Sequence, residues 1–397
     1  MSRTCGRMSI TRPTSPQPSP PPGAEREGPA QREGEVGRDS GALHPDMKTL
    51  RRPSELVAAG LIAPERAADI AAVAERFAVA ITPDMAELIE RGDDSDPIAR
   101  QFVPDAREME TRPEEDHDPI GDRRLSPIKG IVHRYPDRVL LKPSHVCPVY
   151  CRFCFRREQI GPEGESLTAA ELKAALDYIR ARPAIWEVIV TGGDPFLLSP
   201  RRLAAIVGAL DAIAHLGIIR FHTRVPVVAP QLVGPALVAA LAAQKAVYVA
   251  IHANHPRELT PAARTACKRL AQAGIPLLGQ SVLLKGVNDD AATLEALFRG
   301  LAAMRVKPYY LHHPDLARGT AAFRPTLDEG RALMRQLRGR VSGLCQPSYV
   351  LDLPGGYGKV PVGPCYATPQ APAGAWSIED PDGRAHHYPP RSPGALD

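Results

Sequence analysis

The sequence predicts an α/β protein built as a partial, open (β/α)6 TIM-like barrel, and three observations carry that expectation. Between Asp137 and Leu337, short β-rich runs alternate strictly with helical runs, a pattern that implies a parallel sheet with right-handed crossovers. Six such units are too few for a complete eight-stranded barrel. The chemically unusual residues fall just after the carboxyl ends of the strands. Cysteines follow the first strand, Gly192-Gly193-Asp194 the second and Arg224 the third, while His252 ends the fourth and His312 and Asp315 mark the sixth. That is the face where barrel folds assemble their sites.

Taken in order, residues 1–46 are crowded with proline, as in Pro16-Gln-Pro18-Ser-Pro20-Pro21-Pro22, and read as a disordered leader, with Met47 a candidate start. Residues 47–130 read as a helical region and a connecting loop. Leu56, Ala59, Ile70, Val73 and Phe77 recur at helical spacing. Pro64 divides two short helices, and helical character runs on to Gly92. Residues 93–125 are acidic and without periodicity, a loop lying over the barrel. Residues 131–340 form the barrel, with strands at Val139–Lys142, Glu187–Thr191, Ile218–Thr223, Val247–His252, Leu277–Leu284 and Lys307–His312. The helices between them run from Thr168, capped by Glu171 three residues on, to about Arg182, then Pro200–His215, Gln231–Ala243, Pro261–Ala273, Ala291–Met304 and Leu327–Leu337. Residues 341–367 hold a strand-like segment and a glycine-rich turn, and 368–397 a loosely held Pro-rich tail.

Composition excludes several classes. No run reaches the roughly 20 apolar residues of a membrane helix, and no signal-peptide core follows Met1, so a cytoplasmic enzyme is expected. A net charge of +4 in 397 residues is too small and scattered to imply nucleic acid. The seven cysteines are an odd number in such a chain, which argues against a disulfide framework.

Three of them are tightly spaced: Cys147-Pro-Val-Tyr-Cys151-Arg-Phe-Cys154. Three thiolates on one loop can ligate three irons of a [4Fe–4S] cube and leave the fourth iron open. Structural zinc wants four ligands, and no fourth Cys or His of matching spacing follows, although His145 could be recruited in an unusual geometry. The second constellation is Asp352-Leu-Pro-Gly355-Gly356-Tyr-Gly358-Lys359-Val-Pro361. Its glycine spacing, and Val360 where Ser or Thr is needed, exclude a Walker loop. In isolation it reads as a surface turn with a solvated lysine.

The cysteine loop after a first barrel strand resembles the radical S-adenosylmethionine superfamily. Together with the Lys359 turn, the chain resembles the lysine 2,3-aminomutase family from about Pro53 to Tyr366. The matching segments include Arg134-Tyr135-Pro-Asp-Arg138, Phe155-Arg156-Arg157, Thr223-Arg-Val-Pro-Val, Asn254-His-Pro, Gln280-Ser-Val-Leu-Leu-Lys-Gly-Val-Asn-Asp, Pro308-Tyr-Tyr and Val341-Ser-Gly. The resemblance implies a [4Fe–4S] cluster on Cys147, Cys151 and Cys154, with S-adenosylmethionine chelated to the open iron. Gly192, Gly193 and Asp194 would contact its methionine end. It further implies that Lys359 carries pyridoxal 5′-phosphate as a Schiff base. Arg134, Arg138 and Gln280 would surround the phosphate, with Tyr135 and His252 lining the same pocket. Arg156 would take the substrate carboxylate, and Asp315 with Asp352 its ε-ammonium. The implied reaction is isomerisation of L-lysine to β-lysine, with a flavodoxin- or ferredoxin-type reductant, no nucleic-acid or membrane partner, and a homo-oligomer left open. Some family members bind zinc through further cysteines near the C-terminus; none follows Cys365, so no zinc is predicted. The rival readings are glutamate or arginine 2,3-aminomutase, the β-lysine-forming branch of elongation factor P modification, and an iron–sulfur protein without turnover.

Overall fold

The computed structural model describes residues 48–161, 164–371 and 373–389. The expected leader, the candidate start at Met47 and the last residues of the tail lie outside them. One nine-stranded sheet dominates, its strands neighbouring one another in chain order. They are β1 Ile131–Tyr135, β2 Arg138–Ser144, β3 Glu187–Gly192, β4 Ile218–Thr223, β5 Ala246–His252, β6 Leu277–Val282, β7 Val306–His312, β8 Ser348–Leu353 and β9 Gly358–Pro361. From β2 to β8 every neighbouring pair is parallel. The edges turn back, β1 antiparallel to β2 and β9 antiparallel to β8.

The six predicted β/α units are therefore present, and a hairpin strand at each end plus a seventh parallel strand extend them. The Lys359 segment is not an appendage to the barrel but its last two strands. β1 and β9 share no ladder among the described residues, yet the two ends meet. The Lys359 N–H donates to Tyr135 Oη at 2.7 Å, and Arg134 reaches Asp352 on β8 at 3.2 Å. The sheet curls until its ends touch without a backbone ladder, through Tyr135 Oη on the Lys359 N–H and Arg134 on Asp352.

Helices cover the outer face for the reasons their spacing suggests. Thr168 accepts from the Glu171 N–H while Glu171 answers the Thr168 N–H, and the helix Ala169–Arg180 follows. Helix Pro200–Asp211 buries Leu203, Ile206, Val207 and Leu210, and helix Ala291–Ala303 buries Leu294, Leu297, Phe298 and Leu301, each an i, i+3, i+4, i+7 stripe. The expected helix over 231–243 is shorter. Pro230, Gly234 and Pro235 cut it to a 3-10 turn at Pro230–Leu232 and a helix at Pro235–Ala239. The fifth predicted strand likewise stops at Val282, because Asn288 Oδ1 takes the Leu284 N–H from the ladder.

In the N-terminal region the helices are Pro53–Ala58, Ala67–Arg76 and Pro83–Leu88, the first two separated at the 3-10 turn Pro64–Arg66, and the stretch expected as loop over 93–125 also holds a short helix at Ala99–Phe102 and a 3-10 turn at Ala106–Met109. The acidic loop over 93–125 is pinned down, not draped: Glu108, Glu115 and Asp122 are all buried. A second correction concerns the tail. Ala367–Gln370, Ala375–Glu379 and Ala385–Tyr388 form a three-stranded antiparallel sheet. It leans on helix Leu327–Leu337 through an Arg335–Glu379 ion pair. Its residues are mostly exposed, so no apolar alternation announced it. Among the described residues, no helix is long and apolar enough to cross a membrane.

Candidate active site

The cysteines lie on the loop that leaves β2. Backbone bonds tie this loop to the N-terminal region, from the Tyr150 N–H to Ala80 O and from the Arg152 N–H to Gln101 O, both 2.9 Å. Arg152, between two of the cysteines, has no exposed surface. Its guanidinium forks onto Glu108 at 2.9 and 2.5 Å and donates to Ala78 O at 2.7 Å. Arg157 joins the same Glu108 carboxylate and reaches Gly319 O at 3.0 Å. A buried guanidinium is tolerable only with such partners, so the acidic loop acts as a clamp on the cysteine loop.

Burial pushes the Cys147 thiol well above the usual range, with nearby Asp194 adding to it. Burial also lifts Cys154 to about 12. Thiols of this kind load metal only with release of their protons. Among the described residues, no three Cys, His, Asp or Glu side chains converge on one point, as a single zinc ion would need. Cys154 and Cys151 add to the upward pull on Cys147, so the three thiols are neighbours on one loop, and a cube would take one of them per iron at three of its corners. Arg224, after β4, donates to Cys151 Sγ at 2.9 Å.

The glycine motif docks this loop onto the sheet. The Gly193 N–H donates to Ser144 O at 2.7 Å and the Asp194 N–H to Val146 O at 2.8 Å. A Cβ on Gly193 would lie 2.2 Å from Val146 O, and Gly192 has φ +108°. Only glycine allows that approach. Asp194 lines the cavity and is also held by the fold. Its carboxylate accepts from Thr223 Oγ1 at 2.7 Å and from the backbone N–H groups of Phe196, Arg224 and Val225 at 3.0, 2.7 and 3.2 Å. With four donors it is a brace between the ends of β3 and β4.

Lys359 faces the cysteines from the other end of the sheet. It stands opposite Asp352 in the β8–β9 register and forms an ion pair with it. Its Nζ also lies 3.2 Å from His312 Nδ1. Burial, then the Lys359 charge, hold His312 well below the usual imidazole range. The turn between the strands needs Gly355, Gly356 and Gly358 at positive φ, and Gly358 lets the chain pass Tyr135 Oη.

Two expected ligand residues are already engaged. Arg134 donates to Asp352 at 3.2 Å, to Ile120 O at 2.7 Å and to Asp122 at 3.3 Å. Arg156 forks onto Asp122 at 2.8 Å. Burial works to raise the Asp122 carboxyl, but Arg156, Lys142 and Arg134 outweigh it and hold it below the usual range. Nothing local in an acidic, aperiodic segment singles Asp122 out; only the fold brings it beneath both arginines. Arg138 lies over the Tyr135 ring at 3.8 Å and bonds Asp137 at 2.7 Å. His252 bonds Asn254 at 3.1 Å, and burial, then Arg224, push it down to about 3.

Asp315 stands apart. Among the described residues its carboxyl makes no ion pair, while Asp352 holds Lys359 and Arg134. Burial and then the Asp352 charge raise Asp315 to about 7, against the pull of Lys359, Arg156 and Arg134.

A single cavity of about 570 Å³ joins all of this. Its lining includes Cys147, Cys151, Cys154, Gly192, Gly193 and Asp194, with His252 and Gln280, and Arg134, Tyr135, Arg138, Arg156, Asp315, Asp352 and Lys359; Arg156 goes with Arg134, since both hold Asp122. Every residue singled out in the sequence lines it. A bound cofactor of pyridoxal size with a reachable lysine suits such a space.

A barrel of parallel strands with a three-cysteine loop after its first parallel strand is the architecture of a radical SAM enzyme, and residues 141–297 match the Radical SAM superfamily. The chain is 40% identical over 302 residues to the L-lysine 2,3-aminomutase of Clostridium subterminale, covering 76% of this chain and 73% of that one. It is 40% identical over 298 residues to the L-lysine 2,3-aminomutase of Fusobacterium nucleatum, covering 75% and 70%. The glutamate 2,3-aminomutase of Clostridioides difficile is 38% identical over 294 residues, covering 74% and 69%. The chain belongs to the lysine 2,3-aminomutase family. It is an isomerase, a radical SAM 2,3-aminomutase acting on an amino acid.

Proposed function

We propose that the enzyme isomerises L-lysine to β-lysine (3,6-diaminohexanoate) with a [4Fe–4S] cluster, S-adenosylmethionine and pyridoxal 5′-phosphate. The observation that carries the choice of substrate is Asp315, a cavity-lining carboxyl that makes no ion pair among the described residues, beside Asp352. An ammonium placed there would supply the charge that the buried carboxyl lacks. A glutamate substrate would instead add a third carboxylate to the same corner. An arginine side chain would suit the corner as well, which is why it stands as the second reading.

The other roles follow from position. Cys147, Cys151 and Cys154 would hold the cluster, and Gly192 with Gly193, which let β3 dock the cysteine loop closely, would stand with Asp194 at the methionine end of S-adenosylmethionine. Arg156, held by Asp122, presents a planar fork suited to the substrate carboxylate. Arg138 and Gln280 would meet the pyridoxal phosphate group, with Arg134 shared between that task and Asp352. When bound, the cluster and S-adenosylmethionine supply a hydrogen-abstracting radical and the pyridoxal group holds the migrating nitrogen. Lys359 Nζ donates to Asp352 and lies 3.2 Å from His312 Nδ1, and the lowered basicity of His312 leaves the Asp352 carboxylate as the nearer home for a proton leaving Nζ. Apolar walls from Ile120, Val132, Val149 and Phe153 keep bulk water from the reacting centre. A flavodoxin- or ferredoxin-type protein would supply the electron.

The test is an anaerobic assay of the reconstituted protein against lysine, arginine and glutamate, with chiral analysis of the product. β-Lysine should dominate. Glutamate turned over faster than lysine would overturn the substrate assignment, and the product's hand separates lysine metabolism from the elongation factor P branch.

A further inference from the structure

Arg224 is the one side chain among the described residues that donates a hydrogen bond to a loop cysteine, 2.9 Å from Cys151 Sγ. Its own residue is 5% exposed, and both terminal nitrogens are held, while the buried Nε has no partner among the described residues. Its second terminal nitrogen donates to Gln101 Oε1 at 2.6 Å and to Glu258 Oε2 at 2.8 Å. The Arg224 N–H is fixed on Asp194 at 2.7 Å. The guanidinium lies 4.6 Å from the Phe102 ring centre and 5.5 Å from that of Phe153. Glu258 has no exposed surface, and its other oxygen accepts from the backbone N–H groups of Asn254 and His255 at 3.0 and 2.9 Å. Gln101 Nε2 completes the network at 3.0 Å. A dry, wedged guanidinium aimed at one sulphur is an electrostatic device, since fixed charges act most strongly where water is excluded.

We infer that Arg224 is a positioning residue that raises the reduction potential of the cluster on this loop, with Glu258 setting the size of the effect by partly offsetting its charge. The inference rests on the cluster reading above. One electron from an external one-electron carrier takes the cluster core from 2+ to 1+; no proton moves, because the guanidinium stays charged at any working pH. Extra negative charge on the thiolate-ligated core strengthens the N–H···S bond, so the reduced form gains more than the oxidised form. Hydrogen bonds to ligating sulphur and local charge are established levers on such potentials. Lysine at this position would keep the charge but lose the fork that reaches Cys151, Gln101 and Glu258 together.

The experiment is a potentiometric titration, followed by electron paramagnetic resonance, of anaerobically reconstituted full-length wild type, Arg224→Gln and Glu258→Gln. Iron and sulphide are counted in each. Arg224→Gln should keep its iron and shift negative. At the wild-type midpoint its reduced-to-oxidised ratio should fall from 1:1 to about 1:10, about 59 mV for one electron. Glu258→Gln should shift the opposite way, because a negative charge near the cluster is lost. A purely structural role for Arg224 predicts no such reversal of sign. Full iron with unmoved potentials in both variants overturns the inference. Should Arg224→Gln lose iron, Glu258→Gln decides alone, and an unmoved or negative shift there overturns it. A wild-type protein that assembles no cluster would instead sink the reading on which the inference rests.

Discussion

The two walls of the cavity are built by different means. On the cysteine wall, backbone bonds hold the loop to β3 and to the N-terminal region, and each buried charge has a protein partner: Arg152 and Arg157 on Glu108, Arg224 on Glu258. On the lysine wall, β1 and β9 share no ladder among the described residues and meet where the Lys359 N–H reaches Tyr135 Oη, and the ion pairs Lys359–Asp352, Arg134–Asp352 and Arg156–Asp122 link groups that ligands would also claim. Closed networks make a site rigid. Exchangeable pairs keep charged groups poised in a cavity until a substrate replaces a partner. One wall is finished without its ligand and the other is not.

If the walls are this separate, disabling each should leave the other's load in place. Cys151→Ala should lose iron and all turnover yet keep pyridoxal, and Lys359→Ala should do the reverse. Metal analysis and borohydride trapping, which should label the peptide holding Lys359, measure the two loads. Loss of both loads in either variant would break the comparison.

Next in size, Glu108→Gln leaves two buried guanidinium groups sharing a neutral amide. A stability loss of about 3–5 kcal/mol is expected, read by chemical denaturation, together with poorer iron loading. Asp122→Asn, by contrast, should leave iron content intact and raise the KM for lysine, because Arg156 loses its anchor.

Asp315→Ala should lower kcat/KM for lysine by about 2–5 kcal/mol if its carboxyl pairs with a buried substrate ammonium, with iron and pyridoxal loads unchanged. Unaltered lysine kinetics would remove Asp315 from the substrate site.

The smallest effect is a pH dependence. Asp315 is raised from 3.8 to about 7, so between those values the folded protein binds more protons than the unfolded chain. Its contribution to stability is present at low pH and is lost as pH rises through about 7. Asp315→Asn does not titrate. Its stability relative to wild type should therefore climb between about pH 4 and pH 7 and level off above, in paired denaturant titrations.

Much of this was legible before any fold was seen, and unevenly so. The capping box at Thr168 and Glu171, the bounds of helix Leu327–Leu337 and the alternation of β2 to β7 are local, set by neighbours within a few residues. The candidate site residues were named from motif spacing and family resemblance, which mark residue types, and all of them line the cavity. What those side chains are bonded to was not legible. Asp194 is consumed as a brace, and Arg134 and Arg156 share an acid from a segment that reads as featureless loop.

The sequence by itself determined the order of β2 to β7 and the helices between them, the cysteine loop after β2 and the lysine turn after the strand-like segment that is β8, since periodicity, caps and glycine spacing act over a few residues. Tertiary structure alone decided which charges are neighbours. Gln101 and Glu258 are 157 residues apart and share a 3.0 Å hydrogen bond, and Arg134 and Asp352, 218 apart, meet across the seam of the barrel. Whether a carboxylate braces a loop, clamps an arginine or waits for a substrate depends on burial and on the partners the fold supplies, and electrostatic strength follows that surrounding medium, not the residue's name.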